Sequence, residues 1–468
     1  LNGYIYIQMK KIFLLISLIV SQSALFGQNN NYKIDSIAIA KMQGYVLENS
    51  VCYEDLRYLC KKIGNRISGS EAAAKAVEWG KQALESAGAD KVYLQPVMVP
   101  HWVRGKEIFS VKTKQGQNLA LHPLGLGNAF GTNGLGIDAQ IIEVKDAIEL
   151  EQLGVENING KIVYFSHAWN QKLANPFDEY GNSVYYRWAG PSLAAKYGAV
   201  ACIIKSAGAA YDNFAHTGSM RYDTLYKKIP AMALSYVEAT ELEKMIRAKE
   251  IVSATVNSTS HFEEEVLSYN VVGELYGSDL KDEIITVGGH LDSWDVGEGA
   301  HDDGAGCVQS IEVIRMMKKM GIKPRRTVRC VLFMNEENGL RGGTEYARLA
   351  RLEKEKHTCA IETDAGGFSP RGFTMSVSKE QREKVKTWRN LFMPLGLYNF
   401  DEEGGGADIG PLRKNLNTPL MELSPDPQRY FDLHHTENDV FEQVSRRELS
   451  MGALAMAAMV YMISEYGL

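Results

Sequence analysis

The hydrophobic positions follow two periods, one near 3.6 residues and one of 2, and the switches between them mark out the elements. Residues 34–64 carry a broadly helical pattern, and Ser70 reads as the N-cap of a helix over 71–86 that Gly88 closes. Residues 91–99 read as a strand that Pro96 confines to a sheet edge, with 108–113 as its expected partner. A Gly-rich run, PLGLGNAFGTNGLG, then breaks the pattern at 123–136 and reads as a linker or a set of turns. Strands follow at 139–144, 161–165, 199–204, 231–234 and 252–256, with helices near 192–197 and at 237–249. About 140 residues with their own strands and helices make a domain's worth of chain, so 123–262 reads as an insertion between 28–122 and 263–468.

From Val266 the alternation of strand and helix strengthens. Strands are expected at 283–287, 327–335, 359–363 and 418–423, and helices at 304–320, 343–350, 379–392 and 446–466. Val308, Ile311, Ile314 and Met317 form the apolar stripe of the first of these helices. Strand, helix and strand joined by short links give an α/β fold, a mostly parallel sheet with helices on both faces.

Composition narrows the partners. The chain has 468 residues, 45% of them hydrophobic, and a formal charge of -6, which argues against nucleic acid because phosphate binding needs a basic face. Met9-Lys10-Lys11, the apolar run 12–20 and the small residues of 21–27 read as a secretory signal peptide over 9–27. The apolar run is too short to span a bilayer, so the mature chain is expected to begin near Gln28, to be periplasmic or secreted, and to keep no membrane attachment. Six cysteines lie scattered. Cys52 and Cys60 sit about 12 Å apart if they share one helix, beyond bridging distance, and Cys202, Cys307 and Cys330 lie in apolar runs as expected buried thiols.

Candidate chemistry gathers at strand ends, where binding sites on such sheets lie. His290, Asp292, Asp302 and Asp303 follow the strand at 283–287, Glu336 and Glu337 follow the next, Asp364 follows a third, and His434-His435 follow the strand at 418–423 after a loop. Converging carboxylates repel one another unless a cation lies between them. Two imidazoles and several carboxylates without thiolates suit zinc better than calcium, and there are enough ligands for two ions sharing one carboxylate. Adjacent Glu336 and Glu337, read as an extended segment, would point opposite ways, one to the metal and one free to move protons.

The blocks GGHLDSWDVGEGAHDDGAG, FMNEENGLRGG, IETDAGG and HHTENDV resemble, in order, the signature blocks of the co-catalytic di-zinc exopeptidases. That family includes bacterial leucyl aminopeptidases, glutamate carboxypeptidase and carboxypeptidase Q. RISGSEAAAKAVEWG and QPVMVPHWVRG resemble the N-terminal part of the carboxypeptidase Q group, and the likeness spans nearly the whole mature chain. It implies two Zn(2+), one held by His290 and Asp364, the other by Glu337 and His435, with Asp302 bridging both, and a cis peptide between Asp302 and Asp303. It further implies that Glu336 is the general base and that the Asp292 carboxylate orients the His290 ring.

His434 is a candidate for substrate or oxyanion contact, in the place where some relatives carry a Tyr, and a packing role is equally open. The insertion resembles a protease-associated, β-rich domain through GKIVYFS, LAAKYGAVACIIKS, HTGSMRYD and IPAMALS. His301 is expected to face solvent or a loop, and Trp294 and Trp188 are candidates for a pocket lining. The resemblance thus implies an exopeptidase acting on dipeptides or short peptides, a carboxypeptidase or dipeptidase ahead of an aminopeptidase, with a homodimer as the family assembly. A single-zinc glutaminyl cyclase or a non-catalytic receptor of the transferrin-receptor kind fits less well, because the five ligands and Glu336 are all present.

Overall fold

The computed structural model describes residues 32–468, so the expected signal peptide at 9–27 lies outside the described residues. Seven strands make the main sheet: β1 Lys91–Val99, β2 Val266–Leu275, β3 Leu280–His290, β4 Arg326–Phe333, β5 Lys356–Glu362, β6 Pro370–Ser376 and β7 Leu420–Pro425. Their order across the sheet is β1-β2-β4-β3-β5-β7-β6. The β4/β3, β3/β5 and β5/β7 pairs are parallel and the three outer pairs antiparallel, so β1, β3, β4, β5 and β7 all run one way. The sheet is thus mostly parallel in strand direction, and its parallel centre holds the four strand ends singled out by the sequence.

The period-2 pattern sorts each strand between two cores. Val271, Leu332, Ile361 and Met421 enter the larger one with Val77, Leu84, Val308, Ile311 and Leu454. Their neighbours Val272, Val331, Ala360 and Leu420 meet Tyr346, Ala347, Ile409 and Leu412 on the other face. Each such side chain contributes roughly 1.5–3 kcal/mol by leaving water, which fixes the register because a one-residue slip would turn every one outward. Ser70 caps Glu71–Ala87 by accepting from the Ala73 amide, and Gly88 closes that helix in a left-handed conformation. Arg446–Tyr466 is long and apolar enough to cross a membrane, yet 78% of its apolar window is buried inside the protein, as befits a core helix.

A smaller unit carries two further sheets. Leu124–Gly125, Ala231–Leu234, Ala201–Lys205, Ile162–Phe165 and Ile141–Val144 form one, and Asn118–Leu121, Glu107–Thr113, Ile251–Ser258 and Ile137–Ala139 the other. Here the expectation for 108–113 is corrected. That strand pairs with Ile251–Ser258 and not with β1, because its inward residues Phe109 and Val111 pack on Tyr164, Ile203 and Met232. The smaller unit therefore takes in 107–121 as well, and the boundary expected at 123 falls too late. Part of the Gly-rich run is strand, and the expected strand 139–144 divides between the two sheets. The helices Ala147–Ile158 and Pro176–Trp188 and the strand β6 are present beyond the elements that the sequence pattern predicts. All six cysteines are buried and unbridged.

Candidate metal centre

The first strand end is braced by groups that lie outside the clusters able to hold a metal. β3 finishes on Gly288-Gly289-His290, where a Cβ on Gly289 would collide with the Asp303 carboxylate. Asp303 accepts the His290 amide at 3.0 Å through Oδ2 and the Gly306 amide at 3.0 Å through Oδ1. Buried Arg66 donates to the carbonyls of Leu291, Glu298 and Gly299 at 2.6, 2.8 and 2.9 Å, fixing the loop between. Asp439 accepts the amides of His301 and Asp302 at 2.7 and 3.1 Å. The Asp302-Asp303 peptide is cis, as the resemblance implies.

The second strand end differs from expectation in two ways. After β4 the chain turns at Asn335, φ 73°, into the short helical turn Glu336–Gly339, so Glu336 and Glu337 are not neighbours in an extended segment, and both line the cleft. The Asp292 carboxylate does not hold the His290 ring. The ring Nδ1 lies 2.9 Å from the Asp292 backbone carbonyl, while Asp292 Oδ1 accepts the Asn335 and Glu336 amides at 2.7 and 3.1 Å. Asp292 thus positions the turn that carries Glu336, and meets the imidazole only through its main chain. Asp364 follows β5, and His434 and His435 follow β7 through the turn Tyr430–Leu433, with His435 at φ 62°.

The ligand atoms converge. His290 Nε2 lies 3.1 Å from Asp302 Oδ1 and 3.5 Å from Asp364 Oδ1. His435 Nε2 lies 3.2 Å from Asp302 Oδ2 and 3.1 Å from Glu337 Oε2. Asp302 is shared by two metal-capable groups, one with His290 and Asp364, the other with His434 and His435. His434 stacks on His435 at 3.5 Å with Nε2 3.6 Å from Asp302 Oδ2, close enough to belong to that second group, although Glu337 makes the shorter contact with His435.

Electrostatics and unsatisfied atoms test the fit to a cation. Asp302 Oδ2, Glu337 Oε1 and Asp364 Oδ1 are buried without a hydrogen-bond partner. Burial, then the charge of Asp302, pushes Glu337 up to about 7. Burial lifts Glu336 well above the usual carboxylate range, with Asp364 and Glu337 adding to it. Burial works to lower His435, but Glu337 and Asp302 outweigh it and carry the ring to about 9. The field therefore favours positive charge between the imidazoles and the carboxylates, and a donor set of His and Asp/Glu oxygens suits zinc. A carboxyl raised in this way is also a stronger base than an ordinary one.

A cleft of about 700 Å³ opens over Asp302, Glu336, Glu337, Asp364, His434 and His435. Its other wall belongs to the smaller unit, through Tyr180, Arg187 and Trp188 of the helix Pro176–Trp188 and through Ser219. A larger cavity of about 850 Å³ adjoins it and shares Phe177 and Glu422. Trp188 lines the cleft as expected, whereas Trp294 is buried and meets the His435 ring edge-on at 5.7 Å. His301 does not face solvent. It is fully buried, stacked on Phe368 at 4.2 Å, and accepts the Gly367 amide. Arg66 and Asp439 lie inside blocks quoted for the resemblance yet drew no role from them, and nothing in the sequence around Tyr180 or Arg187 points to the site.

Residues 270–460 match peptidase family M28. Carboxypeptidase Q of Mus musculus is 32% identical over 435 residues, 93% of this chain and 90% of that protein. The crystal structure of a peptidase M28 precursor from Shewanella amazonensis SB2B superposes with a TM-score of 0.86 at 32% identity, covering 92% of this chain and 97% of that one. A zinc aminopeptidase from Bacillus subtilis superposes at 0.63 with 18% identity over 88% and 94%, a likeness of fold.

Proposed function

The chain belongs to peptidase family M28 and is a zinc metallopeptidase, and from that premise we propose that it is an exported exopeptidase hydrolysing dipeptides or short peptides in the manner of carboxypeptidase Q. The observation that carries the reading is Asp302 shared between two metal-capable groups, with Glu336 in the same cleft. His290 and Asp364 would hold one zinc, Glu337 and His435 the other, and Asp302 both. Bound zinc supplies Lewis-acid charge that lowers the pKa of water and polarises the scissile carbonyl.

The chain's own residues do the rest. Glu336 takes the proton from the attacking water and returns it to the leaving amine. Asp292 keeps Glu336 in place through its amide. His434, whose buried Nδ1 has no partner, would donate to the oxygen that gains charge. The smaller unit acts as a protease-associated domain, excluding water and shaping access from its side of the cleft.

An aminopeptidase is the second reading, favoured by Glu422, an acid in the cleft wall suited to a free amine. Dipeptides blocked at either end, assayed with and without chelator, separate the two. The proposal expects loss of turnover on chelation, recovery with zinc, and a requirement for the free C-terminus. Turnover indifferent to chelator would sink the metal mechanism, and a requirement for the free N-terminus alone would establish the aminopeptidase.

A further inference from the structure

Two sequence blocks that the proposed reaction leaves unused, QPVMVPHWVRG and HTGSMRYD, are joined at Thr217, beside His435. The smaller unit's residues 216 and 217 grip the turn that carries His434 and His435. His216 Nδ1 donates to the His434 carbonyl at 2.8 Å, the Thr217 amide to the His435 carbonyl at 3.0 Å, and His435 Nδ1 to the Thr217 carbonyl at 3.2 Å. With Nε2 turned to Asp302 and Glu337, Nδ1 carries hydrogen. Arg187 Nη1, 3.3 Å away, is then a second donor, and the carbonyl is the ring's hydrogen-bond partner. These bonds hold His435 at φ 62°, a left-handed conformation uncommon for a residue with a Cβ. A ligating imidazole is aimed by the partner of its other nitrogen. Here that partner belongs to the insertion.

Arg104, between β1 and the strand Glu107–Thr113, fixes that partner. Its side chain is 12% exposed, and every N–H finds an acceptor. Nε and Nη2 donate to the two Asp295 carboxylate oxygens, each at 2.8 Å, and Nη1 donates to the Gly125 carbonyl at 2.6 Å and to Glu107 Oε1 at 3.3 Å. Nη2 also donates to Thr217 Oγ1 at 3.2 Å, and that hydroxyl donates to the Gly125 carbonyl at 2.7 Å. Asp295 lies in the loop between His290 and Asp302, whereas Gly125 and Thr217 belong to the smaller unit. The planar guanidinium is thus a two-pronged tie from the loop beside His290 to the residue that aims His435. Trp102 and Trp294 meet edge-on at 6.2 Å in the same joint, and a Cβ on Gly127 would strike the Trp294 ring, so the two units close tightly there.

We propose that Arg104 is a positioning residue for the metal centre, acting through Thr217 on His435, so that the smaller unit is part of the frame that holds the Glu337/His435 zinc and not only a cover for the cleft. This rests on the two-zinc reading of the site. The test measures zinc affinity against a competing chelator, with stability and kcat alongside, for the wild type, Arg104→Gln, Arg104→Lys and Thr217→Val, each also combined with His435→Ala. Arg104→Gln should weaken one zinc on the order of 10–100-fold, the usual effect of removing a group that orients a ligand. It should leave the other zinc unchanged and regain kcat at saturating zinc. Arg104→Lys, which keeps the charge but not the fork, should recover part of the lost affinity. Thr217→Val, which cuts the tie without unpairing Asp295, should weaken the same zinc roughly tenfold. With His435 already replaced, neither Arg104→Gln nor Thr217→Val should change the affinity of the remaining zinc.

Unchanged zinc affinities in Arg104→Gln and Thr217→Val, whatever their stability, would overturn the proposal by making the tie merely structural. Weakening of the remaining zinc in the His435→Ala background would overturn it too, because the effect would not pass through His435. Thr217→Val decides the matter if Arg104→Gln fails to fold. A wild type that binds fewer than two zincs would instead overturn the two-zinc reading beneath it.

Discussion

Where β3 and β4 begin, acids and cations are matched: Arg326 with Glu283 at 2.7 Å, Lys356 with Glu283 at 2.5 Å, and Arg329 with both Glu274 and Glu355 at 2.8 Å. Where the same strands finish, Asp302, Glu337 and Asp364 have only imidazoles as ion-pair partners, and both carboxylate oxygens of Asp408 are buried without any partner. One sheet supplies both ends, so backbone geometry does not explain the contrast. Paired charges at the first end stabilise the fold. At the other end the unmatched carboxylates lower stability and prepare a field that a divalent cation relieves. A single chemical change, carboxylate to amide, should then have opposite consequences at the two ends.

The largest expected effect is on catalysis. Glu336→Gln removes the proton acceptor and leaves the ligand set intact, so kcat should fall on the order of 10³-fold with zinc content unchanged by metal analysis. Turnover within tenfold of wild type would remove Glu336 from the mechanism. At the opposite end, Glu355→Gln breaks a two-pronged contact with Arg329, whose Nη1 and Nη2 donate at 2.9 and 2.8 Å. A loss of about 2 kcal/mol in unfolding free energy should follow, with no change in kcat.

Acid sharpens that second prediction. Burial works to raise Glu355, but hydrogen bonds from His357 and Arg329 outweigh it and hold the carboxyl down at about 2. Its folded pKa lies below the unfolded value of about 4.3. The stabilisation is therefore present above that value and drains away as pH falls towards 2. Denaturant midpoints across this range should converge for wild type and Glu355→Gln; a constant gap would mean that the ion pair is not what stabilises.

The same contrast explains what was legible in the sequence. His290, Asp302, Glu336, Glu337, Asp364 and His435 stand out because metal chemistry demands residue types that a packed strand end does not, and each follows a readable strand, closely for His290, Glu336, Glu337 and Asp364 and after a loop for Asp302 and His435. The role of Asp292 was not legible, since sequence does not reveal whether a ring meets a carboxylate or the carbonyl of the same residue. The strand 107–113 is not paired with 91–99 as adjacency suggests, because its partners are 118–121, which follows it, and 251–258, near the far end of the insertion. Arg187 and Tyr180 were out of reach because their helix, PFDEYGNSVYYRW, shows no clean apolar stripe, and only the docking of the smaller unit brings it to the cleft.

The smallest expected effect tests the unmatched end directly. Asp408 is fully buried beside Glu362, which accepts the amides of Asp408 and Ile409. Burial, then the charges of Glu362 and Glu336, pushes the Asp408 carboxyl well above its usual range. A carboxyl raised in the folded state contributes its stability below the unfolded pKa of about 3.9 and loses it as pH rises, so at neutral pH the wild type bears a penalty. Asp408→Asn keeps the volume and removes the charge. In chelator-treated protein it should raise stability by about 1 kcal/mol, and in zinc-loaded protein the gain should shrink, because the cation already offsets the repulsion. Denaturant unfolding in both states reads the difference. If Asp408→Asn instead destabilised both states as Glu355→Gln does, the carboxyl end of the sheet would have to be matched after all, and its affinity for a cation would need another source.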